Sequence, residues 1–262
     1  MEMMMMMMMM SKVQSLFDAS EAVFCNGRGG IPTLTEIRWL QSLLDGMEPA
    51  DVGIDGSIDD VSGSESSQED ESSSPITITS DGMILGRALK QITYVHIHQC
   101  EDFSMGIFCF PAGACMPLHD HPGMAVLTKV LYGSVTWNAY DWVTSPNSNP
   151  RKYGLAKVVA EEKLLQASSK PTVLFPSGGG NIHSFTAVTP CAILDVLAPP
   201  YSDELGRPST YYVDIPIPSL PGFCMLEETD LPKDLVVAGA PYLGPQLTCD
   251  DYDDADDEDE MY

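Results

Sequence analysis

Pro117-Leu118-His119-Asp120-His121-Pro122-Gly123 decides how the rest of the chain is read. In an extended strand, residues two apart point to the same face, so His119 and His121 project together. Two imidazoles on one face fill two positions around a metal ion, and a third from another strand closes the triangle. His183 is the candidate third ligand. It follows Pro176-Ser177-Gly178-Gly179-Gly180-Asn181-Ile182, a turn-rich lead-in suited to presenting a side chain at a strand start. The pattern predicts a mononuclear metal site in a β-barrel.

Around this stretch the chain reads as β. Runs rich in Val, Ile, Thr and aromatic residues, separated by Pro, Gly, Asn and Ser, predict strands over 92–98, 104–110, 125–131, 134–140, 172–175 and 191–197. Closely spaced strands without intervening helices predict an all-β sandwich or jelly-roll barrel over 76–249. Tyr132-Gly133 reads as a tight turn, 145–151 as a polar loop, and the stretch after Pro199 as Pro- and Gly-rich with few strands. Upstream, 11–50 reads as a helical segment lying against the barrel. Thr33-Leu34-Thr35-Glu36 has the form of a capping box, and Leu34, Ile37, Leu40, Leu43, Leu44 and Met47 make one apolar stripe.

The formal net charge of −25 is unevenly spread over the 262 residues. Residues 51–71 hold eight acids and 250–262 hold nine, which leaves about −8 for the remainder. Residues 51–75 therefore read as an acidic, disordered linker and 250–262 as an acidic, disordered tail. No basic stripe is present, which argues against nucleic-acid binding. The methionine run within 1–10 lacks a cationic start and a cleavage site, so it reads as an idle extension rather than a signal peptide. No apolar window has transmembrane length. Seven scattered cysteines without Cys-x-x-Cys pairs predict free thiols, mostly small core residues, in a reducing compartment: cytoplasm, nucleus or both.

His96-Ile97-His98 is a second His-x-His pair, and it is read as ordinary strand residues. Asp120, between the two candidate ligands, faces away from the metal by alternation and reads as structural. Asp195 lies in the apolar run 192–197, where an unpaired carboxylate is costly. It is either a buried structural acid or an acid facing a ligand histidine or a substrate amine.

The motifs resemble a known family. Residues 117–124 and 176–183 resemble the two cupin motifs, with Met124 and Ala125 standing where cupins generally place a glutamate ligand. A three-histidine site is the mark of thiol-dioxygenase cupins. The closer resemblance is to plant cysteine oxidases and their cysteamine dioxygenase relatives. It runs through 104–109, 119–124, Tyr140-Asp141-Trp142, 179–183 and 191–201, with short matches at 49–54 and 240–245.

That resemblance implies an all-β cupin jelly-roll (double-stranded β-helix) barrel with short N-terminal helices. It implies Fe(II) held by His119, His121 and His183, with Asp195 and Tyr201 acting in catalysis. Tyr201 is then a hydroxyl donor near oxygen or substrate, or otherwise a half-buried aromatic. The implied reaction adds O2 to the N-terminal cysteine of a protein, giving the sulfinic acid and marking the target for the N-degron pathway in hypoxia sensing. Its implied substrates are ethylene-response-class transcription factors, and the enzyme is expected to be a monomer. Three neutral imidazoles leave the ferrous charge uncompensated, which favours binding of a thiolate. Relatives often carry Cys-Thr-Tyr where this chain has Ser209-Thr210-Tyr211, so a Cys–Tyr crosslink at Ser209 is excluded. A dioxygenase for cysteamine or cysteine, and a non-catalytic metal-binding cupin, are the alternatives.

Overall fold

The structure, a computed structural model, describes residues 10–26, 32–54, 91–143, 152–233 and 235–249. Residues 1–9 of the methionine run, 55–75 of the linker, 76–90, the loop over 145–151 and the tail over 250–262 lie outside the described residues; the first four residues of the 51–75 linker are instead folded, with Val52 and Ile54 buried in the core.

Two helices open the described chain, α1 (Lys12–Phe24) and α2 (Leu34–Asp45). Ser11 caps α1 by accepting from the Gln14 N–H at 3.2 Å. The capping box of α2 forms, with the Glu36 N–H on Thr33 Oγ1 at 3.3 Å and the Thr33 N–H on Glu36 Oε2 at 2.7 Å. Helices this short do not hold alone, and both bury an apolar face on a sheet. A one-turn 3-10 helix, Pro49–Val52, follows.

The strands are β1 (Ile92–Gln99), β2 (Ser104–Phe110), β3 (Cys115–Asp120), β4 (Ala125–Tyr132), β5 (Ser134–Trp142) and β6 (Tyr153–Gln166). They continue as β7 (Thr172–Leu174), β8 (Ile182–Ala187), β9 (Cys191–Ala198), β10 (Tyr211–Pro216), β11 (Phe223–Thr229) and β12 (Val237–Ala240). One six-stranded sheet has the order β12-β1-β2-β9-β4-β7. The remaining six form a closed ring, β10-β11-β6-β5-β8-β3, shut by the single pair Tyr211↔His119.

The sheet is covered on both faces, which explains why its central strands read as near-continuous apolar runs. Along β9, Ala192, Leu194 and Val196 pack beneath Leu16, Phe17, Leu40 and Leu44 of the helices. The alternate residues Cys191 and Ile193 join Trp137 and Phe185 of the ring in a second core. Each ring strand also contributes to a third cluster that includes Leu118, Tyr140, Ile182, Tyr212 and Leu226. Gly133 makes the β4–β5 turn at φ 72°, where a side chain would collide with the Pro190 carbonyl.

Three strands, β10 to β12, follow Pro199, where few were expected. β10 ends on Pro216 and β12 holds Gly239, and both are largely exposed strands with a weak apolar signature. The longest strand, β6, was not singled out either. Glu162 sits at φ 44° in it, with its N–H on Asn138 Oδ1 at 2.7 Å, and this irregularity breaks the two-residue period. None of the seven cysteines, all of them among the described residues, is in a disulfide. Cys109, Cys191 and Cys224 are buried and Cys25 and Cys100 pack against the core, so five are core residues, while Cys115 and Cys249 are exposed.

Candidate metal centre

His119, the penultimate residue of β3, pairs directly with His183 of β8, so the two rings rise side by side from neighbouring strands. His121 follows two residues later. The three rings lie 4.7–4.9 Å apart, centroid to centroid. One ring nitrogen from each gathers within 4.8 Å of the others, and His121 Nε2 is 3.0 Å from His183 Nε2. All three are buried, at 9%, 3% and 3% exposure. Burial lowers the pKa of each below the usual histidine value, and for His121 and His183 far below it as the rings also repel one another's charge. They are therefore neutral imidazoles, the form that ligates a metal.

Their outer nitrogens fix the tautomers. His119 Nδ1 lies 2.8 Å from the Pro117 carbonyl, which only accepts, so Nδ1 carries the proton and Nε2 is free. For His121 the argument runs through Tyr201. The Tyr201 hydroxyl is 2.7 Å from the Asp120 carbonyl and 2.8 Å from His121 Nδ1. Its single proton must go to the carbonyl, so His121 Nδ1–H donates to the phenol oxygen. His121 Nε2 is thereby left bare, facing the other two rings. The Tyr201 hydroxyl is thus engaged behind a histidine ring rather than offered to oxygen or substrate. Burial drives its pKa well above the usual phenol value, and a hydrogen bond with the Ser209 side chain pulls the other way.

The rings open into a cavity of about 50 Å³ between the ring of strands and the sheet. Phe108, Phe110, Met116, Phe185, Ile193 and Leu197 line it, with Asp195 and Tyr201 as its polar members besides the histidines. Asp195 reaches the cavity because it shares the inward face of β9 with Ile193. Burial pushes its carboxyl up to about 7, with Thr128, its cross-strand partner, pulling the other way. Its Oδ1 is buried with no hydrogen-bond partner among the described residues. An acid so placed awaits a cation or donor in the cavity. Asp120 points the other way, accepting from the Thr210 N–H at 2.8 Å and the Tyr212 hydroxyl at 3.3 Å, which pins β10 to β3.

A family model described as PCO_ADO matches residues 43–247. The chain belongs to the PCO_ADO family. It is 37% identical over 255 residues to plant cysteine oxidase 1 of Arabidopsis thaliana, covering 91% of this chain and 81% of that one. The 2-aminoethanethiol dioxygenase of Mus musculus is 36% identical over 190 residues, covering 62% and 74% of the two chains. Among solved structures, an RmlC-like cupin from Desulfovibrio desulfuricans aligns at 20% identity over 44% of this chain and 92% of its own, with a TM-score of 0.28. As a PCO_ADO protein, the chain is a thiol dioxygenase, an oxidoreductase.

Other residues of this PCO_ADO site carry no role in the sequence reading. Asp141 of β5 accepts the N–H groups of Gly179, Gly180 and Asn181 at 2.9–3.0 Å. Such a run of backbone donors forms an anion-binding concavity. Gly180 holds φ 88°, and a Cβ there would stand 2.6 Å from the Ala139 Cβ. Asn181 then bonds both main-chain groups of His121, at 3.2 Å to its N–H and 2.8 Å to its carbonyl. Asp141 therefore organises the loop that carries His183 and clamps His121. Tyr94 lies flat over Gly106, the cross-strand partner of Asp195. Its phenol pKa is raised by burial and then by the Asp195 charge.

Proposed function

We propose that this protein is an Fe(II) dioxygenase that converts the N-terminal cysteine of target proteins to cysteine sulfinic acid. The observation that carries the reading is the pairing of a carboxylate-free triad of neutral imidazoles with one acid, Asp195, whose Oδ1 is buried without a partner among the described residues, in the same small cavity. An N-terminal cysteine offers a thiol and an α-ammonium, and the cavity holds a partner for each.

The bare nitrogens of His119 and His121, together with His183, would hold the iron. Iron(II) bound there supplies positions at which thiolate and dioxygen meet. The remaining work belongs to the chain. Asp195, ionised once a cation is near, accepts from the substrate ammonium and orients the sulfur toward the triad. The phenylalanines, Met116 and Ile193 keep water from the sulfur. Tyr201 holds the His121 proton on Nδ1. The reaction balances as one thiol and one O2 giving one sulfinic acid, with no other reductant.

The cavity of about 50 Å³ admits a few small groups, which fits a chain end and excludes a folded segment. On this reading the products enter the N-degron pathway and the enzyme serves hypoxia sensing, with ethylene-response-class transcription factors as substrates. Free thiols suit the cytoplasm and nucleus, and the enzyme acts as a monomer.

Mass spectrometry of a Cys-Gly-Gly peptide incubated with the Fe(II)-loaded protein in air tests the reading. Peptides beginning Met-Cys or Ala, and 2-aminoethanethiol, run alongside. A gain of two oxygen atoms on the Cys-first peptide alone supports it. Oxidation of 2-aminoethanethiol alone replaces it with the small-thiol reading, and no product with iron bound replaces it with a metal-binding cupin.

A further inference from the structure

Strand β10 begins beside the metal centre and runs away from it. Tyr211 stands directly across from His119, so its side chain shares the metal-facing side, and the two rings lie 6.4 Å apart. By alternation Val213 and Ile215 carry that same face outward from the site. Both are apolar and exposed, at 46% and 42%, where a two-layer protein ordinarily covers such residues.

The main chain of β10 is open along its in-plane edge toward β3. Thr210 directs both its backbone groups at Asp120, its carbonyl accepting the Asp120 N–H at 3.1 Å and its own N–H reaching Oδ1 at 2.8 Å. In an antiparallel pair the residues that face one neighbour recur at every second position. Tyr212 and Asp214 are the next in that series. No strand takes them: among the described residues β3 pairs with β10 only at Tyr211↔His119, and β3 then passes Pro117, which has no N–H to give. An unpaired edge bordered by aliphatic side chains is the surface that extended peptides join by strand addition.

We propose that the β10 edge from Tyr212 to Pro216 docks the extended segment that follows the reacting cysteine, so that β10 sets substrate specificity beyond the terminus. The proposal rests on the reading above that the substrate is a chain end. With the sulfur at the triad and the peptide running beside β10 in the same direction, its third and fifth residues come level with Val213 and Ile215, roughly 7 and 13 Å out at about 3.3 Å per residue. These positions select aliphatic side chains. Glu227 stands directly opposite Val213 on the same face. An acidic third residue is therefore disfavoured and a basic one accepted.

Cys-first peptides of two, four and six residues, with aliphatic third and fifth positions, are to be compared on the Fe(II)-loaded wild type and a Val213→Asp/Ile215→Asp variant. In the wild type KM falls about tenfold from the shortest to the longest peptide, the effect of covering one to two small aliphatic side chains. In the variant KM is flat with length, while iron content and kcat at saturation match the wild type. N-methylation of the third peptide amide in the six-residue peptide raises the wild-type KM in the same way. Equal length dependence in both proteins overturns the proposal, as does a flat wild-type series alongside good peptide turnover. A variant that changes only the self-association of the protein, with KM unmoved, assigns the edge to a second copy instead. Oxidation of 2-aminoethanethiol without any Cys-first peptide removes the substrate reading itself, and the docking strand with it.

Discussion

Two His-x-His pairs stand on two strands of this chain, and only one makes a metal centre. His119 and His121 meet His183, because the strand beside β3 brings that ring into register opposite His119. His96 and His98 lie on β1 in the other sheet, with an irregular register between them against β2. His96 is exposed. His98 packs edge-on against Phe17 of α1, at 4.8 Å between centroids and 77° between planes, and leans on Phe103 at 5.0 Å. Identical spacing thus yields a ligand pair in one place and a helix-docking contact in the other. What decides is what each pair meets: across the strands His119 faces a third imidazole, whereas His96 and His98 face Gly106 and Met105 and the His98 ring is left to Phe17 and Phe103.

The comparison breaks most sharply at His183. His183→Ala leaves two rings and no closed set, so iron binding and turnover should fall together by more than the roughly 10- to 100-fold that outer partners contribute. Metal analysis after anaerobic loading, alongside oxygen consumption, measures both. Retention of stoichiometric iron by the variant would sink the ligand assignment.

Asp195 comes next. Asp195→Asn keeps the shape of the cavity and removes the charge that meets the substrate ammonium, so kcat/KM should drop about 100-fold with iron retained, a loss comparable to that of a charge-assisted contact. The metal-free protein gives a second readout. Burial raises this carboxyl to about 7 in the folded state, above its unfolded value of 3.8. The folded state therefore holds the proton more tightly. Its stabilising contribution is full below about pH 4 and is lost as pH rises toward 7. Urea unfolding of the metal-free wild type should show that decline, up to about 4 kcal/mol, and Asp195→Asn should lack it. The same pH slope in both proteins would show that another group is titrating.

A smaller effect is expected one layer out. Asn181→Ala frees the main chain of His121 without touching any ring, and Asp141→Asn loosens the turn that carries His183. Each should weaken iron affinity by about tenfold, read by competition with a chelator, while kcat at saturating iron changes less.

The parts of this site written within one strand were legible beforehand. His119 and His121 announce themselves by spacing, and His183 by the glycines that precede it. Asp195 stands out as a charge inside an apolar run, because burial makes such a residue costly. The roles of Asp141, Asn181 and Tyr94 were not legible, since each depends on a pairing between strands that no local pattern encodes. Asp141 looks like any polar residue at a strand end until Gly179 to Asn181 are folded onto it. Tyr201 shows the same limit. The resemblance implies a hydroxyl donor near oxygen or substrate, but the direction of that hydroxyl, toward His121 Nδ1, is set by where the Asp120 carbonyl falls. The sheet centre was easy for a related reason: strands buried on both faces are apolar throughout, whereas β6 and β10, wet on one side, carry a diluted signal.

The mildest test returns to the second pair. His98→Leu keeps an apolar body against Phe17 and Phe103 but gives up the ring contacts, at a cost of about 1 kcal/mol at neutral pH. Burial lowers the His98 pKa below 6.5, with the charge of His96 adding to the effect, so the folded state prefers the neutral ring. That preference is satisfied above the unfolded pKa and becomes a penalty as pH falls through the 6.5 region, where the unfolded chain takes up a proton the folded one resists. The leucine variant should accordingly lose less stability than the wild type between pH 7 and 5.5, while its iron content and turnover stay at the wild-type level. Should the iron content fall instead, the β1 pair would be linked to the metal after all, and a register partner would no longer suffice to tell the two His-x-His sequences apart.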